Sequence, residues 1–517
     1  MRYLALFILG TVLACNSYQR PVTDPEISVS SAPDPVQYAS TITEAELRTH
    51  LFIYASDEYE GRETGEPGQK KAIEYLKAQY EALGIPPAQK NGDYFQKVPL
   101  EIGKVPVGTL QIGGKTFLVG DDILSFSGAV GEFNEIVYAG YGIEDGNYSD
   151  YQSDITGKVV LIKSGEPLNT DGAYVISGSD EKSVWSNVSE AIGKKRDLAV
   201  QKGAKGVLYY DQDNFARYKR YFNFMKNNNG GRMQVASEAS DQFLILLNNR
   251  AVTSLISDIS TKRDMEILKT QLTLAITSAN EQIDSENVVA VMEGTSKPKE
   301  YVVISSHLDH IGITGGQINN GADDDGSGTV AMLEIAEAFK RAKDKGEGPE
   351  RSIVFLHVTG EEKGLLGSKY YTDFDPIFPL ENTVANLNID MIGRMDPKRN
   401  GDRNYIYLIG SDKLSSDLHR LSEEINNKYC NLELDYTYND ENDPNRFYYR
   451  SDHYNFAKNN IPIIFYFNGT HADYHKPTDT PDKINYDLLA NRTRLIFHTA
   501  WEVANRPTKV VVDKVAK

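Results

Sequence analysis

From Asn287 onward, apolar runs that read as strands alternate with helical stretches: NVVAVME, YVVISS (301–306), SIVFLHV (352–358), TVANLNI (383–389) and IPIIFYF (461–467). Runs apolar on both faces and separated by helices predict an α/β fold, a mainly parallel mixed sheet with helices on both faces. In such sheets, ligands sit beyond the carboxyl ends of the strands. Four of the five runs place ionisable residues there. YVVISS is followed by His307-Leu308-Asp309, and then by Ala322-Asp323-Asp324-Asp325-Gly326-Ser327-Gly328 at the entry of a helix. SIVFLHV leads to Glu361-Glu362, TVANLNI to Asp390, and IPIIFYF to Thr470-His471-Ala472-Asp473-Tyr474-His475.

Each motif alone has an ordinary explanation, a solvated turn for an acidic pair or a structural role for a histidine after a strand. Together they bring several carboxylates into one cleft, where they repel unless protons or a multivalent cation intervene. Imidazole with carboxylate is the donor set of zinc, whereas all-oxygen sites suit calcium or magnesium. Two histidines with several carboxylates predict two zinc ions sharing one bridging carboxylate. Three consecutive aspartates leave the bridging residue open by counting alone.

The order HLD, GADDDGSG, GEEKGLLGS, NLNIDMIGR and DYHKPTDTPDKI, preceded by YASDEYEGRETGEPG (54–68), resembles the co-catalytic zinc aminopeptidase family. Its relatives include bacterial leucyl aminopeptidases, glutamate carboxypeptidases, glutaminyl cyclases and the transferrin receptor ectodomain. The resemblance implies that His307, Asp324, Glu362, Asp390 and His475 are metal ligands, with Asp324 bridging. His307 and Asp390 would hold one ion, Glu362 and His475 the other. It places the bridge at Asp324, three residues before Ser327, and leaves Asp323, His310 and His471 in supporting or surface roles. Glu361 is implied as general base for a metal-bridging hydroxide, and Tyr474 as the donor to the oxyanion. Asp309 would orient His307, and Asp325 would follow the bridge at an often cis peptide. Ser451-Asp452-His453 resembles a family segment bordering the substrate pocket.

The segment 105–283 has short strands and Gly-rich turns, and GKVVLIKSGEP and AVQKGAKGVLYYD resemble the protease-associated domain inserted in secreted peptidases. An unrelated β-rich domain is the alternative. The start, YLALFILGTVLA after Arg2, is too short to span a membrane and fits a signal peptide. Cys15 follows Val12-Leu13-Ala14, resembling a lipoprotein lipobox in which the cysteine is acylated; a plain secretory signal is the alternative. The only other cysteine, Cys430, then has no disulfide partner and reads as an inert buried thiol.

The expected organisation of the 517 residues is a signal peptide with lipobox (1–15), a flexible tether (16–40), the N-terminal part of a catalytic domain (41–104), the insertion (105–283) and the main catalytic part (284–517). Folded structure is expected from Thr43, where Thr43 and Glu46 have capping-box spacing. A net charge of −18 repels phosphate backbones and argues against nucleic acid as a partner. The function expected is an exported, lipid-anchored aminopeptidase on a bacterial membrane, periplasmic or cell-surface side, acting on peptides with two zinc ions. Carboxypeptidase or dipeptidase activity on acidic peptides, glutaminyl cyclisation and a non-enzymatic binding role are the alternatives.

Overall fold

A computed structural model describes residues 33–188, 190–227, 231–236 and 242–514. Cys15 and the segment before it lie outside the described residues.

The first described helix, Val36–Ala39, lies inside the expected tether. Tyr38 is buried, stacks on Trp501 at 5.7 Å and donates its hydroxyl to Glu347 at 2.7 Å, so packed structure starts earlier than Thr43. The reason is one aromatic anchor, too isolated to give a periodic signal. Helix α1 (Glu44–Tyr54) is capped by Thr43, whose hydroxyl accepts from the Glu46 amide at 3.2 Å. Helix α2 (Pro67–Leu83) buries Ile73, Leu76 and Tyr80 and ends at Gly84, which has the left-handed conformation of a helix stop.

A nine-stranded sheet follows. Its strands in chain order are β1 (Phe95–Ile102), β2 (Met233–Val235), β3 (Glu281–Met292), β4 (Lys297–His307), β5 (Arg351–Val358), β6 (Thr383–Ile389), β7 (Tyr405–Ile409), β8 (Glu433–Asp435) and β9 (Ile463–Phe467). They lie in the order β2-β1-β3-β5-β4-β6-β9-β7-β8. The central strands β5, β4, β6 and β9 are parallel, whereas β2, β1 and β3 pair antiparallel, as do β9 and β7. Parallel pairing is thus found in the centre and again at the β7–β8 edge. NVVAVME, in β3, runs against its neighbour β5, because β3 returns directly alongside β1 rather than through a crossover helix.

Alternate residues of the central strands feed two cores. Val302 and Ile304 of β4 join the core under α1, α3 (Gly328–Asp344) and α5 (Tyr486–Asn505), while Val303 joins the core under α4 (Leu366–Asp373) and the short helix His453–Ala457. This two-sided burial is what made those runs apolar throughout.

A second, eight-stranded sheet is built from residues 107–277 and has its own core around Leu110, Ile136, Leu161 and Leu208. Ile102 at the end of β1 pairs with Glu281 at the start of β3, so the chain leaves for the second sheet and returns at one point. One piece of that excursion does not stay there: β2 adds to the outer edge of β1. Cys430 is half-buried among apolar groups, and burial pushes its thiol up to about 11, which leaves it protonated and unreactive at neutral pH.

Candidate metal centre

The carboxyl ends of β4, β5, β6 and β9 meet over the entry of α3. His307 is the last residue of β4 and is buried. Its Nε2 lies 3.2 Å from Asp324 Oδ1 and 3.6 Å from Asp390 Oδ1, Asp390 being the residue after β6. On the other side, Asp324 Oδ2 lies 3.0 Å from His475 Nε2, which is 3.3 Å from Glu362 Oε1. The two oxygens of Asp324 therefore face different donor sets, the arrangement a bridging carboxylate needs. Asp323 points elsewhere: its Oδ1 accepts from Gly393 N at 2.7 Å and its Oδ2 faces His471 Nε2 at 3.1 Å. Of the three aspartates, Asp324 is the one whose two oxygens reach both donor sets.

Among the described residues, two overlapping groups have donor atoms close enough to hold a metal ion: His307, Asp324 and Asp390, and His310, Asp324 and Glu362. His307 Nε2, both ring nitrogens of His310, Asp324 Oδ2 and Glu362 Oε1 are buried without a hydrogen-bond partner. Buried polar atoms are almost always paired, so a cluster of orphans facing one another fits a cation between them.

The supporting shell fixes these groups. The peptide between Asp324 and Asp325 is cis. Asp325 Oδ2 accepts from the His307 amide at 3.2 Å, and its Oδ1 accepts from the amides of Gly328 and Met391, each at 3.0 Å. One carboxylate thereby ties together the ends of β4 and β6 and the start of α3. The Asp309 carboxylate does not hold His307. It accepts from Thr64 Oγ1 at 2.8 Å and from the Glu361 amide at 3.2 Å, whereas His307 Nδ1 faces the Asp309 main-chain oxygen at 3.0 Å. The expected orienting contact comes from the backbone, because the HLD turn carries that carbonyl under the ring and frees the side chain to position Glu361. Arg62, wholly buried, donates to the carbonyls of Tyr54, Leu308, Asn320 and Gly321, clamping the two metal-facing loops to α1.

The electrostatics are those of crowded charge. Burial opposes a His307 cation, yet Glu361, Asp390 and Asp324 raise its pKa well above the ordinary value. Burial, together with Asp390, Glu362 and Asp452, drives Glu361 far up against the opposing influence of His307. Glu362 goes the other way: despite burial and Asp324, its contacts with His310 and His475 hold it at about 2. Burial and four surrounding carboxylates lift the Tyr474 phenol, so it remains a proton donor at any physiological pH.

A cleft opens beside the centre, walled by Met391, Phe447, Phe465 and Phe467, with Arg450, Thr470 and Tyr474 at its rim. The Tyr474 ring stacks on His475 at 3.9 Å, and its hydroxyl is 3.4 Å from the Arg450 guanidinium. Ser451, Asp452 and His453 do not line this cleft. All three are buried, Ser451 accepting from Asn388, Asp452 from Ser368 at 2.5 Å, and His453 Nε2 facing the Tyr448 carbonyl while its ring stacks on Phe465. They form the backing of the pocket wall, and the residue of that segment that reaches the cleft is Arg450. Arg62, Met391, Phe447, Phe465, Phe467 and Thr470 carried no sequence signal of their own, since an apolar wall residue looks like any core residue.

Fold and site together define an α/β protein with two overlapping triads, at the carboxyl edge of its sheet, whose donor atoms could hold metal ions. Residues 287–500 match the model of peptidase family M28. The chain is 31% identical over 177 residues to aminopeptidase YwaD of Bacillus subtilis, covering 30% of this chain and 36% of that protein. It is 28% identical over 250 residues to the probable leucine aminopeptidase 2 of Aspergillus oryzae (47% and 39%), and 33% identical over 105 residues to the probable glutamate carboxypeptidase LAMP1 of Arabidopsis thaliana (20% and 14%). The matches thus span well under half the length of these curated relatives. A solved aminopeptidase from Aneurinibacillus sp. strain AM-1 aligns over 93% of this chain and 98% of its own, at 19% identity and a TM-score of 0.46.

Proposed function

We propose that the chain is a zinc-dependent aminopeptidase that removes an N-terminal residue with an apolar side chain. The observation that carries this reading is Asp324, whose two oxygens serve two donor sets beside the unliganded carboxylate of Glu361. His307, Asp324 and Asp390 would hold one zinc ion, and Asp324, Glu362 and His475 the other. So held, the pair would polarise a scissile carbonyl and make a water more acidic near neutral pH.

The remaining steps belong to side chains. Glu361 is the general base, taking a proton from the attacking water and passing it to the leaving amine. The negative neighbours that raise it are the groups that cations would neutralise, which brings it toward the working range of a base. Tyr474, held protonated, donates to the oxyanion as the tetrahedral centre forms. Met391, Phe447, Phe465 and Phe467 would pack on the first side chain.

One observation favours a second reading. Arg450 stands at the rim, and a guanidinium is the group that would grip a terminal carboxylate in a carboxypeptidase. The test is to compare cleavage of one small peptide in free, N-blocked and C-amidated forms, with and without a chelator. Chelator-sensitive cleavage of the free and C-amidated forms alone supports the aminopeptidase. Cleavage of the N-blocked form but not the C-amidated one transfers the assignment to carboxypeptidase.

We also propose export and lipid anchoring through Cys15 and read 105–283 as a protease-associated domain, on the sequence phrases already quoted. Loss of membrane association in Cys15→Ser is the expected result for the anchor; an unchanged distribution would exclude it.

A further inference from the structure

His310, expected from the sequence in a supporting or surface role, has a wholly buried imidazole, and neither ring nitrogen has a hydrogen-bond partner. Its Nδ1 lies 2.9 Å from Glu362 Oε1 and 3.7 Å from Asp324 Oδ2. Those same two oxygens are contacted by His475 Nε2 at 3.3 Å and 3.0 Å, and each lacks a hydrogen-bond partner. The 2.9 Å approach does not make a hydrogen bond, since His310 Nδ1 has no hydrogen-bond partner. Two imidazoles and two carboxylates thus converge on one spot.

The spacing suits a cation there. A tetrahedral zinc ion with bonds of about 2.0–2.2 Å separates its ligands by roughly 3.3–3.6 Å. The observed separations, from 2.9 to 3.7 Å, bracket that value. The ring is also locked in place. Gly321 has φ of 55°, and a Cβ on it would lie 2.6 Å from both Cγ and Cδ2 of His310. The His310 amide donates to the Arg62 carbonyl at 3.2 Å, and the ring meets His475 edge-on at a centroid distance of 5.6 Å.

We infer that His310 is a further ligand of the second metal site, so that this site has four protein ligands: Asp324, Glu362, His475 and His310. The inference rests on the reading of the centre as a paired zinc site. Its consequence is inequality between the two positions. The site of His307, Asp324 and Asp390 keeps open coordination and exchanges its ion readily. The four-ligand site has one more protein donor and holds its ion more tightly.

The test uses the full folded protein, stripped with a chelator and titrated with Co²⁺, read by visible absorption and by calorimetry. Wild type is expected to take up two equivalents of different affinity. His310→Ala should weaken the tighter equivalent by more than about 100-fold, beyond the roughly 10- to 100-fold that loss of an outer partner costs, and leave the other unchanged. Its spectrum for the tighter site should also change in intensity and position. His310→Asn restores a donor near Nδ1 without an imidazole ligand, and should remain as weak as the alanine variant; it carries the test if alanine prevents folding. Wild-type affinity in His310→Asn, or two unaltered equivalents in His310→Ala, would overturn the inference while leaving the paired centre standing. Fewer than two equivalents in wild type would remove both readings.

Discussion

Glu361 and Glu362 are sequence neighbours with opposite electrostatics. Glu362 is held ionised by two histidines, and Glu361 is pushed toward its neutral form by burial and by the carboxylates around it. A pair of acids driven apart in this way marks one as a ligand and the other as a proton carrier. Glu361→Gln is therefore expected to bind metal with unchanged stoichiometry and to lose about 10²- to 10⁴-fold in turnover. A variant that keeps its turnover would remove Glu361 from the mechanism. Arg62 makes a different prediction. Replacing it with Met removes a donor from four buried carbonyls; Leu308 keeps the Tyr54 hydroxyl and Gly321 the Gly326 amide, so the loss falls on Tyr54 and Asn320, at about 1–3 kcal/mol for each unsatisfied group. Because two of those carbonyls belong to the loop before Asp324 and one to the HLD turn, stability and metal affinity should fall together; a melting loss with unaltered metal affinity would confine Arg62 to the fold. At this scale the sequence was most informative where side chains meet side chains. Strand ends gathered ionisable residues at one edge of the sheet, and the resemblance to the zinc aminopeptidase family singled out His307, Asp324, Glu362, Asp390 and His475 among them. Arg62 was not legible, since its partners are main-chain oxygens. The Ser451-Asp452-His453 phrase marked the right neighbourhood, but its residues pack behind the wall that Arg450 and the aromatic groups form.

Among the elements, α1 and α3 carry a titration outside the centre. Glu334 of α3 is buried and lies 3.6 Å from His50 of α1. Burial first, then Glu46 and Glu337, raise its pKa to about 8, and burial lowers that of His50, so the pair is largely neutral in the fold. The unfolded chain ionises Glu334 near 4.3. The folded state thus binds this proton more tightly: its contribution is complete below about pH 4.3 and is lost as pH rises toward 8. Glu334→Gln should flatten that decline and raise stability at pH 8 by about 1–3 kcal/mol, while changing little at pH 5. Denaturant titrations at the two pH values measure it, and equal effects at both would refute the buried-acid account. The helices themselves were readable, from the Thr43 cap to the Gly84 stop. Strand direction was not, because a run buried on both faces looks the same parallel or antiparallel. The three residues of β2 are too few to show any period, and only their pairing with β1 reveals them.

For the whole molecule, a net charge of −18 is a poor guide to where charge resides. Asp324, Glu361, Glu362 and Asp390 lie within one centre, with imidazoles as the nearest positive groups. Salt screens such buried pairs far less than surface ones, so ionic strength is a weak remedy for their repulsion. Ions bound between them remove it and stabilise the folded state by linkage, by about 2.7 kcal/mol at a free concentration 100 times the dissociation constant. The same centre joins loops from β4, β5, β6 and β9 to the Arg62 clamp, so the gain should spread through the domain rather than stay local. Metal-free protein is therefore expected to melt several degrees below the zinc-loaded form, with 0.5 M sodium chloride failing to close about half of the gap. Coincident melting curves for the stripped and loaded forms would show that nothing in this centre is held together by cations. A gap that salt alone abolished would instead mean that the carboxylates act through solvent, as an exposed acidic surface does.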